Sequence, residues 1–143
     1  MNIDVNYVAV LAAAIASFVV GFLWYSPLLF GNVWMKLRGI TKASIKTKKG
    51  QKNMGILYAL SFVVGVLMAY VLSHVMTLSM NYFGYSKLNT GLTSAFWMWM
   101  GFVMPVQITA TIFSDKKSWP LWAIDTGYQL ASLLVMGVVL ALI

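Results

Sequence analysis

The chain of 143 residues is 61% hydrophobic and only 9% charged, with a mean hydropathy of +0.83, which excludes an ordinary soluble domain and places it in a bilayer. Cys is absent, so disulfides, thiolate nucleophiles and cysteine metal sites are excluded. The net charge of +7 is carried largely by residues flanking apolar runs, which makes anionic lipid headgroups the expected partner and argues against nucleic acid.

Each apolar run approaches the roughly 20 residues that an α-helix needs to cross about 30 Å of hydrocarbon. The first span is predicted over residues 5–26. Met1-Asn2-Ile3-Asp4 before it lacks the basic flank of a secretory signal, so the segment is expected to be retained. Pro27 stops the helix by disfavouring helical geometry at Ser26. Ala9, Ala13, Ser17 and Gly21 recur every four residues and give one face on which another helix backbone can approach closely. Trp24 and Tyr25 suit the water interface at the end of the span.

Residues 30–55 carry Lys36, Arg38, Lys42, Lys46, Lys48, Lys49 and Lys52 and no acid. Positive-inside bias assigns this loop to the cytoplasm, and Lys36, Arg38, Lys46, Lys48 and Lys49 are the expected contacts to acidic headgroups. Trp34 to Arg38 is expected to lie along the headgroups, and Thr41 to cap a short helix reaching about Lys49. The second span, residues 56–78, repeats the small-residue stripe with Ser61, Gly65, Ala69 and Ser73. The two stripes are expected to pack on each other or across a protomer boundary, so a homo-oligomer is expected. Asn81 to Lys87, with three aromatics and one lysine, fits the outer interface.

The third span, residues 92–113, contains Gly101 and Pro105, and the proline predicts a kink that frees the Gly101 carbonyl. Ser118 followed by Pro120 is a helix-start signature for the fourth span, residues 119–142. Nine basic residues then lie on the inner side, with Lys116 and Lys117 added to the seven above, against Lys87 outside. The predicted architecture is an all-α, integral-membrane four-helix bundle forming a single domain, with both termini outside and a basic cytoplasmic loop between helices 1 and 2, in the inner membrane.

Asp125 is the only acid inside a long apolar run, and an unpaired carboxylate in hydrocarbon costs at least a few kcal/mol. It is expected near the cytoplasmic side, with Gln129 one turn deeper and Tyr128 on nearly the same face. Gln107, Thr111, Tyr25, Ser26, Tyr58 and Ser61 are expected in the same layer. Four readings of Asp125 stay open: a structural hydrogen-bonding role toward Gln107, Tyr25 or Tyr58; proton or cation handling; acid–base catalysis; and anchoring to Lys116, Lys117 or a loop lysine. His74, the sole histidine, lies about 20 Å from that layer along the helix axis and is read as an interfacial, possible pH-sensitive residue, without a metal partner. Trp97-Met98-Trp99-Met100 is read as adaptable packing and lipid-facing bulk. No phosphate loop, serine elbow or zinc spacing is present, and no catalytic residue, metal or cofactor is assigned.

Several segments carry a family likeness: Asn6-Tyr7-Val8-Ala9-Val10-Leu11, Gly21-Phe22-Leu23-Trp24-Tyr25-Ser26-Pro27-Leu28-Leu29-Phe30-Gly31, Trp34-Met35, Met68-Ala69-Tyr70-Val71-Leu72-Ser73-His74, Gly101-Phe102-Val103-Met104-Pro105, and Ile124-Asp125-Thr126-Gly127-Tyr128-Gln129-Leu130. Across nearly its whole length the chain resembles the small bacterial membrane proteins catalogued as domain of unknown function 1761. That resemblance implies a four-span inner-membrane protein and transfers no activity. The expected function is a small oligomeric channel or transporter-like protein with a polar site at Asp125, Gln129, Tyr128, Gln107 and Tyr25 handling an ion or small polar solute. The alternative is a non-catalytic structural or accessory subunit that binds anionic lipid or a partner protein.

Overall fold

Asn6 opens the first helix by turning its side-chain oxygen onto the amides of Val8 and Ala9, at 3.1 and 3.2 Å, which fixes the start of α1 (Tyr7–Trp24). A computed structural model describes residues 4–143, the side chains of residues 48–50 and 52 excepted. The Met1-Asn2-Ile3 segment therefore lies outside the described residues. After α1 come α2 (Gly31–Arg38), the short α3 (Lys42–Lys46) and the long α4 (Lys48–Phe83). A third rod is built from α5 (Lys87–Met98), a π-helical turn (Trp99–Val103) and α6 (Met104–Ile112), and α7 (Trp119–Leu142) follows it. Tyr7–Trp24, Asn53–Phe83, Lys87–Ile112 and Trp119–Leu142 are long and apolar enough to cross a membrane, and the fold is all-α.

Three boundaries differ from expectation. Thr41 caps α3 through the Ser44 amide at 3.3 Å, as its position predicts, but that helix ends at Lys46 and the chain restarts as α4 after Thr47. α4 then runs past the apolar run at both ends, so Asn81 to Phe83 are helical and the connection to α5 is short. α5 begins at Lys87, ahead of the apolar run, because Ser86 caps it and the hydroxyls of Thr90 and Thr93 bond back to the Ser86 and Asn89 carbonyls at 2.9 and 2.7 Å. Polar residues that satisfy their own hydroxyls within the turn extend a helix that hydropathy alone cuts short.

α7 packs against α1 on one side and α5 on the other, while α4 bridges α1 and α5. Val10, Ala13, Ala69, Leu72, Met76, Ala95, Leu133 and Met136 form the buried core. The small stripes of α1 and α4 meet inside the chain: Ala9, Ala13, Ser17 and Ala69 are all buried, and a methyl on Gly65 would lie 3.6 Å from the Ser17 hydroxyl. Of the two packing modes expected for these stripes, the one within the chain is present at these positions, while Ser61 stays exposed. The closest backbone approach lies elsewhere. A Cβ on Gly91 would run into the Gly137 carbonyl, and one on Gly137 into Gly91, so α5 and α7 touch main chain to main chain.

The kink expected at Pro105 takes the form of the π-helical turn just before it, in which the Met104 amide donates to the Trp99 carbonyl five residues back. This widened turn directs Trp99 toward α7.

Candidate functional site

The chain leaves α1 through a turn closed by Phe30 N–H to the Trp24 carbonyl at 3.0 Å and Gly31 N–H to the Ser26 carbonyl at 2.9 Å. A side chain at position 31 would strike the backbone of Tyr25 and Ser26, so only glycine permits this reversal. The reversal folds α2 back against the end of α7. Trp34 and Arg38, one turn apart on α2, thereby face Asp125.

Both carboxylate oxygens of Asp125 are engaged. Oδ1 accepts from the Tyr25 hydroxyl at 2.9 Å and the Trp34 indole at 3.0 Å, and Oδ2 accepts from Arg38 Nη2 at 2.8 Å. The Arg38 guanidinium also lies 5.3 Å from the centre of the Trp34 ring. Because the Arg38 side chain is 47% exposed, the ion pair is screened and contributes at most about 1 kcal/mol. Burial, and then the Asp125 charge, push the Tyr25 phenol well above its ordinary range, so it stays protonated and keeps the proton it donates to Asp125.

The neighbouring residues of α7 are held in the same way. Trp24 donates to the Ile124 carbonyl at 3.1 Å and Trp99 to the Thr126 carbonyl at 2.9 Å. Ile124, Asp125 and Thr126 thus each receive one indole N–H, from α1, α2 and the π-helical turn respectively. Three elements clasp one turn of α7.

Beside this clasp a groove of about 420 Å³ opens between α6 and α7, with Arg38, Lys116 and Asp125 on its walls. Two of its lining residues each carry a buried polar atom without a hydrogen-bond partner among the described residues: the acceptor Gln107 Oε1 and the donor Trp122 Nε1. Each such group costs about 1–3 kcal/mol if nothing bonds to it. Both residues lie beside the cations Arg38 and Lys116 on the groove wall.

The expected polar layer is only partly assembled. Tyr25 bonds Asp125, and Tyr128 packs edge-on against Tyr25 at 5.1 Å. Gln107 and Thr111 line the groove, but the Gln107 side chain does not bond Asp125, and the Thr111 hydroxyl turns to the Gln107 carbonyl. Tyr58 packs with Phe18 and Phe22 in a ring cluster on α1 and α4. Gln129 and Ser61 line a separate cavity among α1, α4 and α7. Arg38, expected at the headgroups, is also the cationic partner of Asp125. Lys36 and Lys46 are exposed, and the Lys48 and Lys49 side chains lie outside the described residues. His74 donates Nδ1–H to the Tyr70 carbonyl at 2.9 Å and packs on the Tyr70 ring, away from the clasp.

Sequence reading missed Trp34 and Arg38 as ligands of Asp125. Their four-residue spacing on one helical face was the signal. Among the described residues no group of three His, Asp or Glu side chains gathers to hold a metal ion. No curated protein and no solved structure matches the chain. The family model described as a protein of unknown function, DUF1761, matches residues 8–141.

Proposed function

Because the chain belongs to the DUF1761 family, whose description assigns no activity, we propose its function from its own groove: a non-catalytic membrane protein that binds the hydroxyl-bearing anionic head of a phospholipid. The basic end of the bundle faces the cytoplasm of the inner membrane, which puts the groove at the level of the inner-leaflet headgroups. The observation that carries this reading is the orphaned pair in the groove wall. A phosphate accepts from Trp122, Lys116 and the free edge of Arg38, while a headgroup hydroxyl donates to Gln107 Oε1.

The clasp keeps the groove in shape. Asp125 holds Arg38 beside the opening and is itself neutralised, so its role is positional. The transport reading gains less support from this geometry, because a carboxylate already holding three donors has fewer lone pairs left to ligate a moving cation.

Native mass spectrometry of the detergent-solubilised protein tests this reading, with phosphatidylglycerol, phosphatidylcholine and soluble glycerol phosphate as probes. Phosphatidylglycerol should be retained about tenfold better than phosphatidylcholine, whose head lacks a hydrogen-bond donor, and Gln107→Leu or Lys116→Gln should remove most of that preference. Retention of glycerol phosphate alone would identify a soluble ligand in place of a lipid. Equal retention of the two lipids, or a preference untouched by both variants, would overturn the proposal.

A further inference from the structure

Deeper along α7, on the face that carries Asp125, lies a second cavity of about 280 Å³ bounded by α1, α4 and α7. None of its lining residues lines the groove, so the two sites are distinct. Ser132, a residue of this wall, is 2% exposed, and its hydroxyl has no hydrogen-bond partner among the described residues. Gln129, one turn nearer the basic end, lines the same space, joined by Ser17 and Ser61. The Ser17 hydroxyl already donates to the Ala14 carbonyl at 2.9 Å, which leaves its oxygen free to accept.

The remaining walls are apolar, and no lining side chain carries a charge. A charged ligand here would be desolvated without a counter-ion, which excludes an anionic head such as the one the groove takes. A ligand without polar atoms would leave Ser132 and the Gln129 amide unsatisfied. Next to this cavity a wholly apolar slot of about 250 Å³ runs between α4 and the π-helical turn, lined by Val71, Phe102, Val103 and Leu133 among others. Met68 borders both spaces, and Leu133 follows Ser132 directly in sequence. The polar-floored cavity and the apolar slot therefore adjoin.

The geometry points to an intramembrane site for a neutral long-chain lipid, with a carbonyl- or hydroxyl-bearing head hydrogen-bonded by Gln129 and Ser132 and its tail lying in the slot between α4 and the π-helical turn. A carbonyl or hydroxyl oxygen in such a head accepts from the Gln129 amide or the Ser132 hydroxyl without charge, and the tail covers side chains such as Phe102, which is 67% exposed. Two membrane sources share this chemistry, a diacylglycerol and a long-chain quinone.

The test uses the whole protein in detergent with dioctanoylglycerol and a decyl-substituted benzoquinone as separate probes, read by native mass spectrometry. At least one probe should bind one per chain, and Gln129→Leu should lower its occupancy about tenfold. Ser61→Leu, on an exposed position at the cavity edge, should reduce occupancy by obstruction while leaving thermal unfolding unchanged, which covers the case in which the Gln129 variant fails to fold. Val63→Trp, facing outward, should change nothing. Which probe binds identifies the source. Binding of neither above a decanol control, or occupancy insensitive to the Gln129 and Ser61 variants, would overturn the site, and neither result bears on phosphatidylglycerol retention in the groove.

Discussion

A carboxylate has several lone-pair positions and no donor, so the number of donors aimed at it decides whether it is structural or reactive. Asp125 has three, and one of them, Tyr25, responds to pH in a definite direction. Its phenol is held protonated in the fold, above its ordinary value of 10.0, chiefly by burial and next by Asp125. The stabilisation it contributes is therefore complete below pH 10.0 and is lost as pH climbs, because the unfolded chain ionises first. At neutral pH, Tyr25→Phe should lower stability by about 1 kcal/mol, a value reduced by solvent screening at a phenol that is only partly buried. Unfolding midpoints of both proteins in detergent, followed to about pH 11, should converge as alkalinity increases. A constant gap across that range would show that the fold does not hold the Tyr25 phenol protonated. The importance of Asp125 was legible in the sequence, because an acid in an apolar run is conspicuous. Its partners were not, because Trp34 and Arg38 reach it only after the turn at Gly31 reverses the chain.

Helices in this protein are set against each other by where side chains are missing. Gly91 and Gly101 belong to the same rod yet have opposite surroundings: the first presses on the Gly137 backbone, the second has nothing near its missing Cβ. Gly91→Ala should therefore destabilise by about 1–3 kcal/mol or more, since a main-chain atom cannot move aside, whereas Gly101→Ala should be neutral or stabilising by up to about 1 kcal/mol. Thermal unfolding in one detergent ranks the two, and equal effects would mean that α5 and α7 are further apart than described. The four apolar rods were legible from hydropathy, and the stripes of α1 and α4 from their period. The Gly91–Gly137 approach was not, since isolated glycines on separate helices announce no register. The π-helical turn was hidden for a similar reason: Pro105 predicts that a bond is lost, but the packing of Trp99 on α7 decides how the turn relaxes.

At the scale of the molecule, charge is polarised along the bundle. Arg38 and Lys116 meet at one groove, while Lys87 begins α5 at the other end. The chain has no Cys, so single introduced cysteines report topology cleanly. In inner-membrane vesicles of defined orientation, Ala43→Cys should react with an impermeant maleimide only from the cytoplasmic face and Tyr82→Cys only from the opposite face. Labelling of both from one side would break the four-span arrangement, and the exchanged pattern would remove the groove from the inner leaflet.

The clasp joins positions far apart in sequence: Trp24 and Tyr25 each bond a residue 100 positions later, and Trp34 one 91 positions later. A polypeptide made from its amino end must hold these donors idle until the last helix leaves the ribosome. Until then α2 has no dock, and when α7 enters the bilayer its carboxylate meets Tyr25, Trp34 and Arg38 already waiting at the border. Insertion of α7 is thereby also the step that locks the first helix in place, so a nascent chain halted before α7 should leave the segment after α1 open to protease and to the insertion machinery.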